Sequence, residues 1–159
     1  YASVNVSPKL GIFRPRWGFY YKQQFFDTRK YGASKALSRP LLLCLLDNNF
    51  ALSETMNAAI SLNAATPNAD GFLMMKSNYS VDLRFDKSFA NRTWIIYLSA
   101  NDIFKTAKER WTMYGLGAGT TKDCYNYTRC ISLQVTYNFN AKRSKYKGTG
   151  AGNEEKSRL

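Results

Sequence analysis

Two cysteines in the last third of the chain are the first residues whose spacing could do chemistry. Cys124 and Cys130 enclose five residues. In an oxidising compartment a disulfide closing so short a loop would restrain it; the alternative is two free thiols, and both readings stand. Cys44 lies in the run Leu41-Leu42-Leu43-Cys44-Leu45-Leu46 and reads as a small buried hydrophobe. Three cysteines without any histidine give no zinc pattern. The lack of histidine also removes most triads and metal-hydrolase sites, though not Ser–Lys or carboxylate mechanisms. Asp82, Asp86 and Asp102 are spread over strand ends and a strand face, and none pairs convincingly. The stretch Gly115-Leu116-Gly117-Ala118-Gly119 fits neither the dinucleotide nor the Walker spacing, and strand glycines at a bend explain it better. The expectation is a chain without catalysis, metal or cofactor.

The elements that must position these residues read as strands. From Ile131 to Phe139 the alternation is unbroken: Ile131, Leu133, Val135, Tyr137 and Phe139 fall on one face, and Ser132, Gln134, Thr136 and Asn138 on the other. The polar face carries no charge, as the wall of a wet lumen would, and the apolar face ends in two aromatics. That is the pattern of a transmembrane β-barrel strand. Seven further extended segments precede it. The first covers Ser3 to Phe13, the second Trp17 to Phe26, and the third Arg39 to Phe50, which is apolar on both faces as far as Leu46 and is compatible with a short helix. The fourth, Thr55 to Ala65, ends in the turn Thr66-Pro67-Asn68-Ala69-Asp70-Gly71. The fifth, Phe72 to Phe85, sets Tyr79, Val81, Leu83 and Phe85 against Ser80, Asp82 and Arg84, so that Asp82 and Arg84 face the presumed lumen and can pair with each other or with neighbours. The sixth and seventh run from Thr93 to Ile103 and from Arg110 to Gly119.

Composition agrees with strands: 11 Tyr and 10 Phe favour β-structure and interfacial girdles. The longest apolar run is six residues, against about 20 for a membrane helix, whereas a barrel strand needs only about 9–11. The net charge of +12 gathers in connections and after Phe139, where it suits anionic head groups. Arg14, Arg16, Trp17, Tyr20, Tyr21 and Lys22 interleave cations with rings as a single-strand nucleic-acid binder would. A girdle explains the same residues with one assumption fewer, and no nucleic acid is expected. The chain opens at Tyr1 without a signal peptide, although a membrane barrel must be exported, so it reads as a fragment. Residues 140–159, with Gly148-Thr149-Gly150-Ala151-Gly152-Asn153, read as a disordered, flexible basic periplasmic tail.

Three stretches together resemble a known family. Asn101-Asp102-Ile103-Phe104 resembles the short periplasmic turn before the last hairpin of TonB-dependent receptor barrels. Tyr79 to Phe89 is similar to a penultimate ascending strand in the related Bacteroidota outer-membrane β-barrel family, and Arg129 to Phe139 resembles its closing strand. The resemblance implies that residues 1–139 are the C-terminal part of an outer-membrane β-barrel domain. It also implies a location in the cell outer membrane of a Gram-negative bacterium. The implied partners are outer-membrane lipid, the remainder of the barrel, a plug domain in the parent protein and the outer-membrane assembly machinery. That machinery would read the closing strand, Ile131, Leu133, Val135, Tyr137 and Phe139, as an assembly signal.

The fold expected is thus all-β: an antiparallel transmembrane β-barrel segment of about eight strands. If the chain ends in the periplasm, strand parity puts Asp102–Glu109, Thr66–Gly71 and Asp27–Ser38 on the periplasmic side, and Thr120–Thr128 and Asp86–Arg92 outside. The function implied is part of a receptor or transporter wall. A complete small eight-strand barrel with a structural or adhesin role is one alternative. A soluble basic β-domain binding nucleic acid or glycan is another.

Overall fold

The structure is a computed structural model describing residues 1–25, 27–33, 36–115 and 119–139. Phe26, Ser34, Lys35, Leu116 to Ala118 and the 140–159 tail lie outside the described residues, and with them the reading of the tail. The strands are β1 (Ala2–Val6), β2 (Phe13–Lys22), β3 (Leu41–Ser53), β4 (Met56–Ala65), β5 (Asn68–Asp70), β6 (Leu73–Met75), β7 (Asn78–Phe89), β8 (Trp94–Asn101), β9 (Lys108–Tyr114), β10 (Gly119–Tyr125) and β11 (Cys130–Tyr137). One short 3-10 turn, Thr28–Tyr31, interrupts the β2–β3 connection.

Two sheets form. A seven-stranded antiparallel sheet has the order β1-β2-β3-β4-β7-β8-β11, and a four-stranded sheet the order β10-β9-β6-β5. In the larger sheet the connections separate by end. At the turn end lie 7–12, the tight Glu54–Thr55 turn and 90–93. At the loop end lie the long excursions 23–40, 66–77 and 102–129, and the small sheet is built from the last two. Among the described residues the sheet does not close, because β1 and β11 each have a neighbour on one side only.

Several sequence expectations are corrected here. The segment Ser3–Phe13 is not one strand: β1 stops at Val6 and the chain turns through Gly11 into β2. The physical reason is a pair of prolines. Extending the β1–β2 register beyond Val6↔Trp17 would set Pro8 against Pro15, and neither has an N–H to give the ladder. Leu10 and Phe13 close the turn instead, with bonds of 2.9 and 3.0 Å. The third segment is a strand and not a helix. Phe72–Phe85 divides into β6 and β7, because β6 leaves the main sheet to pair with β5 and β9. Thr120–Thr128 is not simply a loop; most of it is β10, paired with β9 from Gly119↔Tyr114 to Tyr125↔Lys108. Asp102–Glu109 and Thr120–Thr128 therefore share one end of the sheet, together with Thr66–Gly71 and Asp27–Ser38, while β7 runs on through Phe89 so that the turn after it lies at the opposite end. The parity count fails because the β9–β10 hairpin is an insertion between neighbours β8 and β11, not two further wall strands.

Candidate functional site

Directly opposed residues of an antiparallel pair share a face, so the register fixes both faces of the large sheet. One face carries Val4 and Val6 of β1, Phe13, Trp17, Phe19 and Tyr21 of β2, and Leu42, Cys44, Leu46 and Phe50 of β3. It continues through Ile60 and Leu62, then Val81, Leu83 and Phe85, then Trp94, Ile96 and Leu98, to Ile131, Leu133, Val135 and Tyr137. Apart from Asn48 of β3 and Lys87 of β7, it is apolar across all seven strands. Aromatics collect toward its turn end: Phe13 stacks on Phe50 at 5.1 Å between centroids, Trp94 meets Tyr137 at 4.4 Å, and Tyr137 meets Phe139 edge-on at 4.5 Å. Nothing among the described residues covers this face. Ile131 is 80% exposed, Leu133 67% and Val4 61%. Among the described residues the buried hydrophobics of the core are Ala33, Leu37, Ala59 and Ala69. That is no core for a water-soluble domain of this size, and so large an exposed apolar surface marks an interaction face.

The opposite face is polar, and its side chains bond across strands. Asp47 takes a 2.6 Å bond from the Ser61 hydroxyl and lies 3.9 Å from the Arg16 guanidinium. Asn57 donates to Asp86 at 2.8 Å. Arg84 donates to Asn49 at 3.2 Å, two strands away. The residue between them in register is Ala59, whose methyl lets the guanidinium pass over it and is itself buried beneath. Arg84 and Asp82 share this face, as do Ser132, Gln134 and Thr136, opposite Ser99, Tyr97 and Ile95. Asp82 and Arg84 do not pair with each other: Asp82 instead accepts the Asp102 N–H at 2.7 Å. Asn138 stands just past β11 and ties down the 90–93 turn, donating its side chain to the Arg92 carbonyl at 2.9 Å. Near the loop end the face turns aromatic and aliphatic, with Tyr20, Leu41, Leu43 and Leu45. Tyr20 folds back over Gly18 to reach Asn5 at 3.1 Å; a Cβ at Gly18 would sit 2.9 Å from both the ring and Asn5.

Residues 2–137 match the Outer membrane protein beta-barrel family. The chain belongs to that family. No curated protein and no solved structure matches it. The uncovered apolar face of this outer-membrane barrel sheet is accounted for at once, since its surroundings are lipid. No helix among the described residues is long and apolar enough to cross a membrane, and in a barrel the strands do the crossing, each backbone group pairing with a neighbouring strand.

The remaining sequence-derived residues lie at the loop end. Asp102 is 1% exposed with φ at +46°, and anchors the 102–129 excursion of the barrel. Its carboxylate accepts from the Thr106 and Ala107 amides at 2.8 and 3.2 Å, and from the Thr128 hydroxyl at 2.8 Å. Burial pushes this carboxyl up, but these donors outweigh it and hold it below the usual carboxylate value. Ile103 donates to the Val81 carbonyl at 3.0 Å, and Phe104 is exposed. Asn101–Phe104 therefore opens a long excursion and does not close a hairpin between wall strands. The thiols of Cys124 and Cys130 are free: Cys124 donates to Asn126 at 3.3 Å, and Cys130 accepts from Asn101 at 3.3 Å. Cys124 belongs to the small sheet and Cys130 to the polar face of the large one. Sequence reasoning missed the cluster on the β9–β10 hairpin. There Glu109 accepts from Lys122 at 2.7 Å, Trp111 at 2.9 Å and Asn126 at 3.3 Å. These donors hold its carboxyl down at about 2. The signal available was the position of Glu109 and Lys122 on the two arms of a hairpin, which only the β9–β10 register reveals.

Proposed function

We propose that this chain forms part of the wall and lumen lining of a receptor- or transporter-like outer-membrane barrel, similar to the TonB-dependent receptors of Bacteroidota, and carries out no catalysis. The observation that supports the reading best is the pairing of a predominantly apolar face to a polar face rich in cross-strand bonds, on a sheet open at both edges. A wall strand with a water-filled or plugged interior needs such a face, because its inward side chains must satisfy each other without a core. Arg16, Asp47, Asn57, Asp82, Arg84 and Asp86 supply charge and hydrogen-bonding groups to that interior, which is where a solute or a plug domain in the parent protein would touch the wall. In barrels of this class short turns face the periplasm and long loops the exterior. The long excursions 23–40, 66–77 and 102–129 are then extracellular, and Asn101–Phe104 with them. β11 descends to deliver Tyr137 and Phe139 to the periplasmic rim, where the assembly machinery would read them.

The test is solute flux through vesicles holding the full-length protein, with and without Arg84→Glu. Lumen substitutions tune selectivity, so the reversal of charge should shift the preference between anionic and cationic solutes. Flux unchanged by the substitution would favour a structural or adhesin barrel instead.

A further inference from the structure

The apolar face of the large sheet is unevenly filled near its loop end. Phe19, Cys44, Ala64 and Tyr79 stand directly opposite one another on successive strands, two rings flanking two small side chains. Two residues nearer the turn end, Trp17, Leu46, Leu62 and Val81 fill the row with large side chains. Two residues nearer the loop end, Ala2, Tyr21 and Leu42 are in register, and the Thr66 N–H donates to the Leu42 carbonyl at 2.9 Å. The dip between these rows is an apolar cavity of about 540 Å³, bounded at the loop end by Thr66, Pro67 and Ser77. That volume lies in the range of small-molecule sites, about 300–1,000 Å³.

Two cations border the cavity where it meets the loops. Arg110 of β9 donates to the carbonyl of Ser77, a cavity residue, at 2.9 Å. Its Nε is buried without a hydrogen-bond partner among the described residues. Asp123 stands opposite Arg110 in register, yet the ion pairs among the described residues do not include it. Lys76 is exposed, immediately precedes Ser77 and donates its amide to the Arg110 carbonyl at 2.9 Å. Asp70, the carboxylate of the adjoining turn, is held by Lys22 at 2.8 Å.

We propose, resting on the barrel-wall reading above, that this cavity holds an acyl chain of one resident lipid whose anionic head group is bound by Arg110 and Lys76. Bulk lipid is as apolar as the cavity, so the hydrophobic effect selects nothing here. Selection comes from two other sources. A chain laid over Cys44 and Ala64 gains close contacts that the side chains of the next row would deny it. The head group gains charge-assisted bonds to cations that no carboxylate has claimed, at the membrane surface where basic pockets hold anionic lipids. A free phosphate would use the cations and leave the apolar floor empty. A second copy of this chain in the same membrane would bring its own Arg110 and Lys76 to the same level, with no anion for either.

The experiment titrates the full-length protein in mild detergent with dioleoyl phosphatidate, dioleoyl phosphatidylcholine or glycerol 3-phosphate, and counts bound molecules by native mass spectrometry. The expected result is one phosphatidate held more tightly than phosphatidylcholine, and no glycerol 3-phosphate held at the same concentration. Arg110→Gln should weaken phosphatidate about fivefold, the worth of one cation near a membrane surface, and leave phosphatidylcholine unchanged. Ala64→Phe, which fills the floor, should weaken both lipids; Cys44→Leu fills it more mildly should that variant fail to fold. Equal affinity for the two lipids in the unsubstituted protein would overturn the proposal. So would phosphatidate binding that neither the cation nor the floor substitution changes, glycerol 3-phosphate binding as tight as that of phosphatidate, or a dimer in place of the lipid adduct. Heat-modifiable gel mobility reads the barrel separately: retained mobility without lipid preference sinks the lipid site alone, and absent mobility in the unsubstituted protein sinks the barrel-wall reading as well.

Discussion

The indole N–H of Trp17 donates to the side-chain carbonyl of Asn48 at 3.0 Å, on the predominantly apolar face of the sheet. Asn48 stands opposite Pro15, and its amide reaches the Ile60 carbonyl at 3.4 Å. A polar side chain facing hydrocarbon is costly unless its groups are bonded, and Trp17 supplies the main bond. Trp17→Phe should destabilise the assembled protein by about 1–3 kcal/mol, the scale of leaving a buried polar group unpaired. Adding Asn48→Leu should recover most of that loss. Denaturant unfolding in vesicles across the double-mutant cycle measures the coupling; additive losses would show that the two side chains act independently.

Asp102 should be the weak point of the long excursion when substituted. Asp102→Asn keeps the volume but turns an NH2 toward donors that the carboxylate now accepts from. Loss of these bonds in a buried site should cost about 1–3 kcal/mol, felt locally. Protease cleavage within 102–129 should speed up while the heat-modifiable mobility of the barrel is unchanged. Equal protection in both proteins would contradict the anchoring role.

The β9–β10 hairpin should loosen in acid. The carboxyl of Glu109 is held down at about 2, chiefly by Lys122 and then by Trp111 and Asn126. A depressed carboxylate stabilises the fold fully above its unfolded value, near 4.5, and that contribution drains away as pH falls toward 2. Lys122, raised by the same pair, keeps its contribution below its usual value of 10.5. Amide exchange in residues 108–125 should therefore accelerate between pH 4.5 and 2 beyond its intrinsic pH dependence, and Glu109→Gln should abolish that excess. A pH response identical in the two proteins would refute this assignment.

The 90–93 turn holds Ala90, Asn91 and Arg92 all at positive φ, 48°, 52° and 67°. The left-handed region costs a side-chain-bearing residue roughly 1–2 kcal/mol. Ala90→Gly should raise stability by several tenths to about 1 kcal/mol, after allowing for glycine's greater freedom in the unfolded chain. Chemical denaturation of the assembled protein checks it, and a loss of stability would mean the turn is held by other contacts.

How much of this was legible in the sequence depended on where apolar alternation coincided with pairing. The closing strand, the segment from Met56 to Ala65 and the two faces of Asn78–Phe85 were readable because each lies between lipid and a polar interior and must alternate. Ser3–Phe13 misled because Val4, Val6, Leu10 and Ile12 keep alternating through a turn that only the Pro8–Pro15 register stops. The β10 sequence Gly119-Thr120-Thr121-Lys122-Asp123-Cys124-Tyr125 gave no strand signal, since it pairs outside the large sheet and buries neither face. Of the polar-face residues, Asp82 and Arg84 were found from their alternation. Their partners Asp102 and Asn49 were not, being fixed by long-range register.

The most direct test is lipid exposure read residue by residue along β11 and β7. Nitroxide labels placed singly at Leu133, Gln134, Val135 and Thr136, and at Leu83 and Arg84, should alternate with a period of two. Leu133, Val135 and Leu83 should be relaxed by oxygen dissolved in the bilayer, and Gln134, Thr136 and Arg84 by a water-soluble nickel chelate. Equal water access at all six positions would contradict a lipid-facing apolar face.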